Sequence, residues 1–77
     1  MEWRGKIVCD PHFLGGKPTV KGTRISVELI LESLGAGIPE ADILAAYPTL
    51  PKDAVRASLA YVTNLMANHA KSTLEVA

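Results

Sequence analysis

Gly5, Pro11, Gly15, Gly16, Pro18 and Gly22 all fall within the first 22 residues and leave no uninterrupted stretch there for a helix of useful length. Helix is therefore confined to the rest of the chain, and the first third is expected to form short extended pieces joined by turns. Two such pieces fit between the breakers. One is Lys6-Ile7-Val8-Cys9; the other is Thr19-Val20, resuming at Arg24-Ile25 after the Gly22-Thr23 break. Both are β-branched and too short to stand alone, so they need each other, a second chain or the helices.

Three helices follow. The first starts near Ser26, whose hydroxyl can cap a free N–H, with Glu28 beside the positive helix end. Val27, Ile30, Leu31 and Leu34 repeat at helical spacing and predict one buried face, closed by Gly35 and Gly37. The second helix starts with Pro39 in its first turn and Glu40 and Asp42 nearby. It carries Ile43, Leu44 and Tyr47 and stops at Pro48. The third is expected from Pro51, with Asp53 in its first turn, to about Asn68 or His69. Val55, Leu59, Val62 and Met66 form its apolar stripe, several alanines suit close packing, and the tail from Lys71 is expected to fray. The second and third helices, joined through Pro48-Thr49-Leu50-Pro51, form a helix-turn-helix arrangement.

Size limits what such a chain can do alone. At 77 residues it is expected to be a single domain, 1–77, without room for a second fold or a deep substrate pocket. A chain of this mass buries about 7,400 Å² on folding, and if about 60% of that is apolar the gain is about 110 kcal/mol. Ordering the chain costs about 115 kcal/mol at about 1.5 kcal/mol per residue. The balance is near zero, so a second copy or another protein is the expected supplement.

Charge narrows the function. Eight basic and eight acidic residues give a net charge of zero, which argues against a protein that coats nucleic acid. The distribution is uneven. Residues 1–24 carry Arg4, Lys6, Lys17, Lys21 and Arg24 against Glu2 and Asp10, a net +3. Residues 25–77 carry Lys52, Arg56 and Lys71 against Glu28, Glu32, Glu40, Asp42, Asp53 and Glu75, a net −3. The basic end can meet phosphate or an acidic protein surface, or it can meet the acidic body of a second copy. A single cysteine, Cys9, no signal-peptide pattern after Met1 and no apolar run near the roughly 20 residues of a membrane span point to the cytoplasm and away from a membrane.

Motifs for chemistry are sparse. The stretch from Gly15 to Arg24 resembles a phosphate loop only superficially: Pro18 removes an N–H, and Lys21-Gly22 reverses the required order. Lys17, Lys21 and Arg24 remain candidates for contact with an anion or an acidic partner, against the plainer reading that Arg24 ties the loop down through Glu28 or Asp10. Cys9 and His12 have the spacing of a metal half-site, but only His69 could readily join them and the remaining ligands would be carboxylates, so neither metal nor cofactor is expected. No serine lies in a nucleophile motif, and Glu28 with Glu32 reads as a solvated helix face; no enzyme activity is expected. Thr49, Lys52 and Arg56 lie where a helix-turn-helix reads DNA, against the plainer reading that these charges solvate the helix.

One pattern runs through these features. Asp10-Pro11, Gly16-Lys17-Pro18, Lys21-Gly22-Thr23-Arg24-Ile25-Ser26-Val27, Gly37-Ile38-Pro39-Glu40, Tyr47-Pro48 and Leu50 together resemble the DUF433 family over roughly residues 7–62, leaving 64–77 as a helix end and tail. The resemblance implies a mainly α fold: a small three-helix, homeodomain-like or winged-helix-like (helix-turn-helix) domain preceded by a short N-terminal β segment. It also implies an antitoxin, encoded beside a small PIN-like nuclease. Two positions depart from the pattern: Ile38 and Pro51 stand where Ser or Thr commonly caps the second and third helices. The implied turn explains the glycine loop, with Gly22 at positive φ and Thr23 bonding across it. It also singles out Arg24 to enter a toxin's acidic, metal-gathering site. The leading expectation is an antitoxin-like homodimer that binds a cognate PIN-like toxin and its own promoter, as double-stranded DNA. The alternative is an interaction or dimerisation module without DNA contact.

Overall fold

The extended pieces of the first third pair with each other. In the computed structural model, which describes residues 1–73 and side chains through Asn68, β1 (Ile7–Cys9) runs antiparallel to β2 (Pro18–Val20). Ile7 lies opposite Val20, Val8 opposite Thr19 and Cys9 opposite Pro18. Two three-residue strands cannot persist alone, and this hairpin lies on the helices that follow. The connection between the strands makes a left-handed turn, with positive φ at Leu14, Gly15 and Gly16.

After β2 the chain folds back over itself. Gly22 takes φ +82°, a conformation that costs any side chain bearing a Cβ about 1–2 kcal/mol. The Thr23 hydroxyl donates to the Val20 carbonyl at 2.8 Å and accepts from the Ile25 N–H at 3.1 Å. Val20 N–H donates to Ile25 C=O at 3.0 Å, and Ser26 forms a bridge to Thr19. Extended pairing therefore resumes later than the expected Arg24-Ile25, as a single bridge at Ser26, and Arg24 lies in the bend before it, at the outside of a closed turn.

α1 (Val27–Gly35) begins as its cap predicts, with Ser26 Oγ accepting from Leu29 N–H at 3.0 Å. Val27 and Ile30 are buried, with Leu31 and Leu34 packed against them. α2 (Glu40–Ala46) follows Pro39 without a side-chain cap, as Ile38 implied, and buries Ile43. α3 (Ala54–Thr73) closes the core with Ala54, Val55 and Ala57. Ser58 is also fully buried, its hydroxyl satisfied by the Ala54 carbonyl at 2.8 Å. Trp3 stands edge-on to Tyr61 with 4.8 Å between ring centroids, so the N-terminal segment is pinned to α3.

The third helix differs from its expectation at both ends and in its orientation. It starts at Ala54, not Pro51, because residues 47–53 form successive turns that sink Leu50 into the core. Asp53, whose carbonyl accepts from Ala57 N–H at 2.9 Å, occupies the cap position expected of Pro51. The link between α2 and α3 is therefore seven residues, Tyr47 to Asp53, longer than the three or four of a strict helix-turn-helix. The helix continues to Thr73, past Asn68 and His69 and through the first residues of the expected frayed tail. Ala67 and Ala70 favour helix, and neither Gly nor Pro follows Pro51. The remaining tail, 74–77, lies outside the described residues. Of the expected stripe Val55, Leu59, Val62 and Met66, only Val55 is buried and Val62 half-buried. The packed face is turned toward Ala54, Ala57, Ser58 and Tyr61, leaving Leu59 and Met66 exposed.

Candidate partner-binding cleft

The turn after β2, the start of the β1–β2 connection and the α2–α3 link converge on one open cleft of about 780 Å³. Val8, Pro11, Phe13 and Thr19 contribute walls; Asp10, Lys21, Arg24 and Thr49 bring the polar groups. The size lies in the range of ordinary ligand clefts, and the apolar walls with a few polar groups suit the side chains of a docked protein segment. Arg24 is exposed, with its guanidinium carbon 5.2 Å from the centre of the half-buried Phe13 ring. At that distance the ring attracts the cation, and with no ion pair among the described residues the guanidinium N–H groups can still fork onto a carboxylate or phosphate. Asp10 is partly engaged in local structure, one oxygen accepting from His12 N–H at 2.8 Å.

Lys21 links this cleft to the start of α3. Its backbone N–H donates to Lys6 C=O at 2.9 Å, and with Lys6 it borders a smaller depression against Pro51, Asp53, Ala54 and Ala57. Lys6 Nζ meets Asp53 Oδ2 at 2.6 Å, tying the hairpin to the α3 cap. That hydrogen bond, more than simple charge attraction, holds the Asp53 carboxyl below the usual carboxylate range. Lys52 and Arg56 are exposed on either side of Asp53. Among the described residues, Lys21, Arg24, Lys52 and Arg56 form no ion pair.

The six candidate residues thus separate. Lys21, Arg24 and Thr49 line one cleft. Lys52 and Arg56 stand at the start of α3, Lys52 just before the helix and not on its face. Lys17 belongs elsewhere: its Nζ pairs with Glu28 Oε1 at 2.9 Å, and this contact raises the Lys17 pKa. Glu28 therefore anchors Lys17, not Arg24, and Arg24 is held by Phe13 instead of by Glu28 or Asp10. Sequence reasoning missed two participants. Phe13 follows Asp10-Pro11 by two residues, and an aromatic beside a turn is the signal that marks it. The Lys6–Asp53 pair joins residues 47 apart, which local pattern does not report.

Fold and cleft define a small, mainly α domain: three helices carrying a two-stranded N-terminal hairpin. The chain belongs to a family described as "Protein of unknown function (DUF433)", whose model matches residues 7–62. It is similar to the "Uncharacterized protein y4eO" of Sinorhizobium fredii (strain NBRC 101917 / NGR234), with 34% identity over 55 residues. That match takes in 71% of this chain and 25% of the relative, so the chain spans about a quarter of the relative's length. No solved structure matches the chain. The family span contains the whole cleft together with Lys52 and Arg56, and it stops at Val62, within α3. No helix among the described residues is long and apolar enough to cross a membrane.

Proposed function

We propose that the protein is a non-catalytic, antitoxin-like binding module of the cytoplasm that captures an acidic protein partner in the cleft around Arg24. The supporting observation is the arginine held over the Phe13 ring, with Lys21 in the same cleft and neither cation neutralised among the described residues. An oriented guanidinium loses little freedom on meeting a carboxylate, so much of its attraction survives as affinity. The partner that the family resemblance implies is a PIN-like toxin, whose metal-gathering carboxylates complement this rim. Arg24→Ala is expected to weaken the partner complex at least 10-fold, a loss of about 1.4 kcal/mol, by calorimetric titration. Unchanged affinity would remove Arg24 from the account.

A second activity, binding of promoter DNA, draws support from Lys52 and Arg56, two exposed cations at the start of α3 that form no ion pair among the described residues. The seven-residue link departs from strict helix-turn-helix geometry, so contact with the phosphate backbone is the better-supported part of this reading. Lys52→Ala and Arg56→Ala should each weaken DNA binding and lower its salt dependence by about one ion. Absence of any shift with promoter DNA at low salt would leave the protein-interaction reading alone.

A further inference from the structure

We infer that the outer face of α3 is the seat of a second copy of this chain, docked helix against helix and antiparallel across a two-fold axis. From Ala57 to Ala70 the sequence has fourteen residues without one Asp, Glu, Lys or Arg, although the chain as a whole is 21% charged and would place about three there. Absence of charge is what distinguishes the centre of a protein interface from ordinary surface.

The structure shows what this stretch exposes. Leu59 is 45%, Leu65 49% and Met66 64% exposed, and Tyr61 and Val62 are only half-covered. Leu59, Val62 and Met66 share one stripe of the helix. Beside it a groove of about 560 Å³ between α1 and α3 has Leu31, Tyr61, Val62 and Leu65 in its lining, with the charged Lys17, Glu28 and Glu32 there too, so stripe and groove are continuous. Leu65 is the last α3 residue in that groove, and the helix runs on for eight residues to Thr73, about 12 Å at 1.5 Å per residue.

Charge identifies the occupant. Nucleic acid and an anionic lipid surface both need cations, and residues 57–70 have none. In the groove Lys17 is paired with Glu28, which leaves Glu32 as its one unpaired charge among the described residues and offers a strongly charged protein partner little counter-charge. A two-fold contact needs a patch complementary to itself, and an uncharged apolar helix face meets that requirement. Two copies of a chain with net charge zero also approach without repulsion. Crossing near Val62 and Thr63 sets Leu59 of each copy against Met66 of the other. The contact is independent of the Arg24 cleft.

Sedimentation of the purified protein at micromolar concentration tests the inference. The wild type should sediment at about twice 8.2 kDa. Leu59→Glu and Met66→Glu, both at exposed positions, should weaken self-association at least 100-fold, because each buries an unpaired carboxylate between the copies. Ile38→Glu, at another exposed apolar residue, in the connection between α1 and α2, should leave the dimer intact. A monomeric wild type, or glutamate variants that remain dimeric, would overturn the inference. Should a glutamate variant lose its helical signal, cysteine pairing replaces it. In a Cys9→Ser background, a mixture of Leu59→Cys and Met66→Cys should form the mixed disulfide in preference to either self-pair; preference for a self-pair would overturn the antiparallel arrangement.

Discussion

Replacing Thr23 by valine keeps the shape of the side chain and removes the hydroxyl that closes the turn carrying Arg24. Two hydrogen bonds go: the one donated to Val20 C=O at 2.8 Å and the one accepted from Ile25 N–H at 3.1 Å. The Val20 carbonyl keeps its bond from Thr23 N–H at 3.0 Å, so it is not orphaned, whereas Ile25 N–H loses its turn partner. At about 1 kcal/mol per bond, less about 0.4 kcal/mol for a methyl in a half-buried site, the net loss is about 1.5 kcal/mol. For a chain of this size that lowers Tm by about 6–12 °C. Urea unfolding followed by helical circular dichroism reads it directly, as a midpoint lowered by about 1.5 M at a slope of about 1 kcal/mol/M. Thr23→Ser, which retains both bonds, should recover most of the loss. A valine variant within about 0.5 kcal/mol of wild type, or a serine variant as weak as valine, would refute the assignment of the hydroxyl as the fastener of this turn.

Two further outcomes test the fold. Ile43→Ala, at the only fully buried side chain of α2, should cost about 2–5 kcal/mol in urea unfolding, since it opens a cavity in a core that α2 enters mainly through this residue. The Lys6–Asp53 pair predicts a pH dependence. The folded-state pKa of Asp53 lies below its unfolded value, so its contribution is present above the unfolded pKa and lost as pH falls through the folded one. Stability should therefore decline on acidification below about pH 4, and Asp53→Asn should flatten that part of the profile; an unchanged acid limb would contradict the pairing.

The first two helices were legible because their signals agree at short range. Ser26 caps, Glu28 faces the positive end, and Val27, Ile30, Leu31 and Leu34 repeat on one face. At α3 the local signals mislead. Proline is a good first helical residue, but burial of Leu50 commits Pro51 to a turn and delays the helix to Ala54. Periodicity found the apolar side chains of α3 without finding which are covered, since the alanines and Ser58 that face the core are weakly hydrophobic. Lys21 and Arg24 were visible as cations in a glycine-rich turn. Their surroundings were not: Phe13 under Arg24, Thr49 across the cleft and Asp53 on Lys6 all depend on contacts between distant parts of the chain. The same tertiary folding separates Lys17 from the cleft and gives it to Glu28.

The most direct test of the cleft is retention of a partner by tagged protein expressed at its native locus, wild type against Lys21→Glu/Arg24→Glu, with bound proteins identified by mass spectrometry. The account predicts a stoichiometric acidic, PIN-like protein with the wild type and its loss with the double variant, while both chains keep the same helical signal and Tm. Equal retention of that protein by the two chains, or its absence from the wild-type sample, would contradict it.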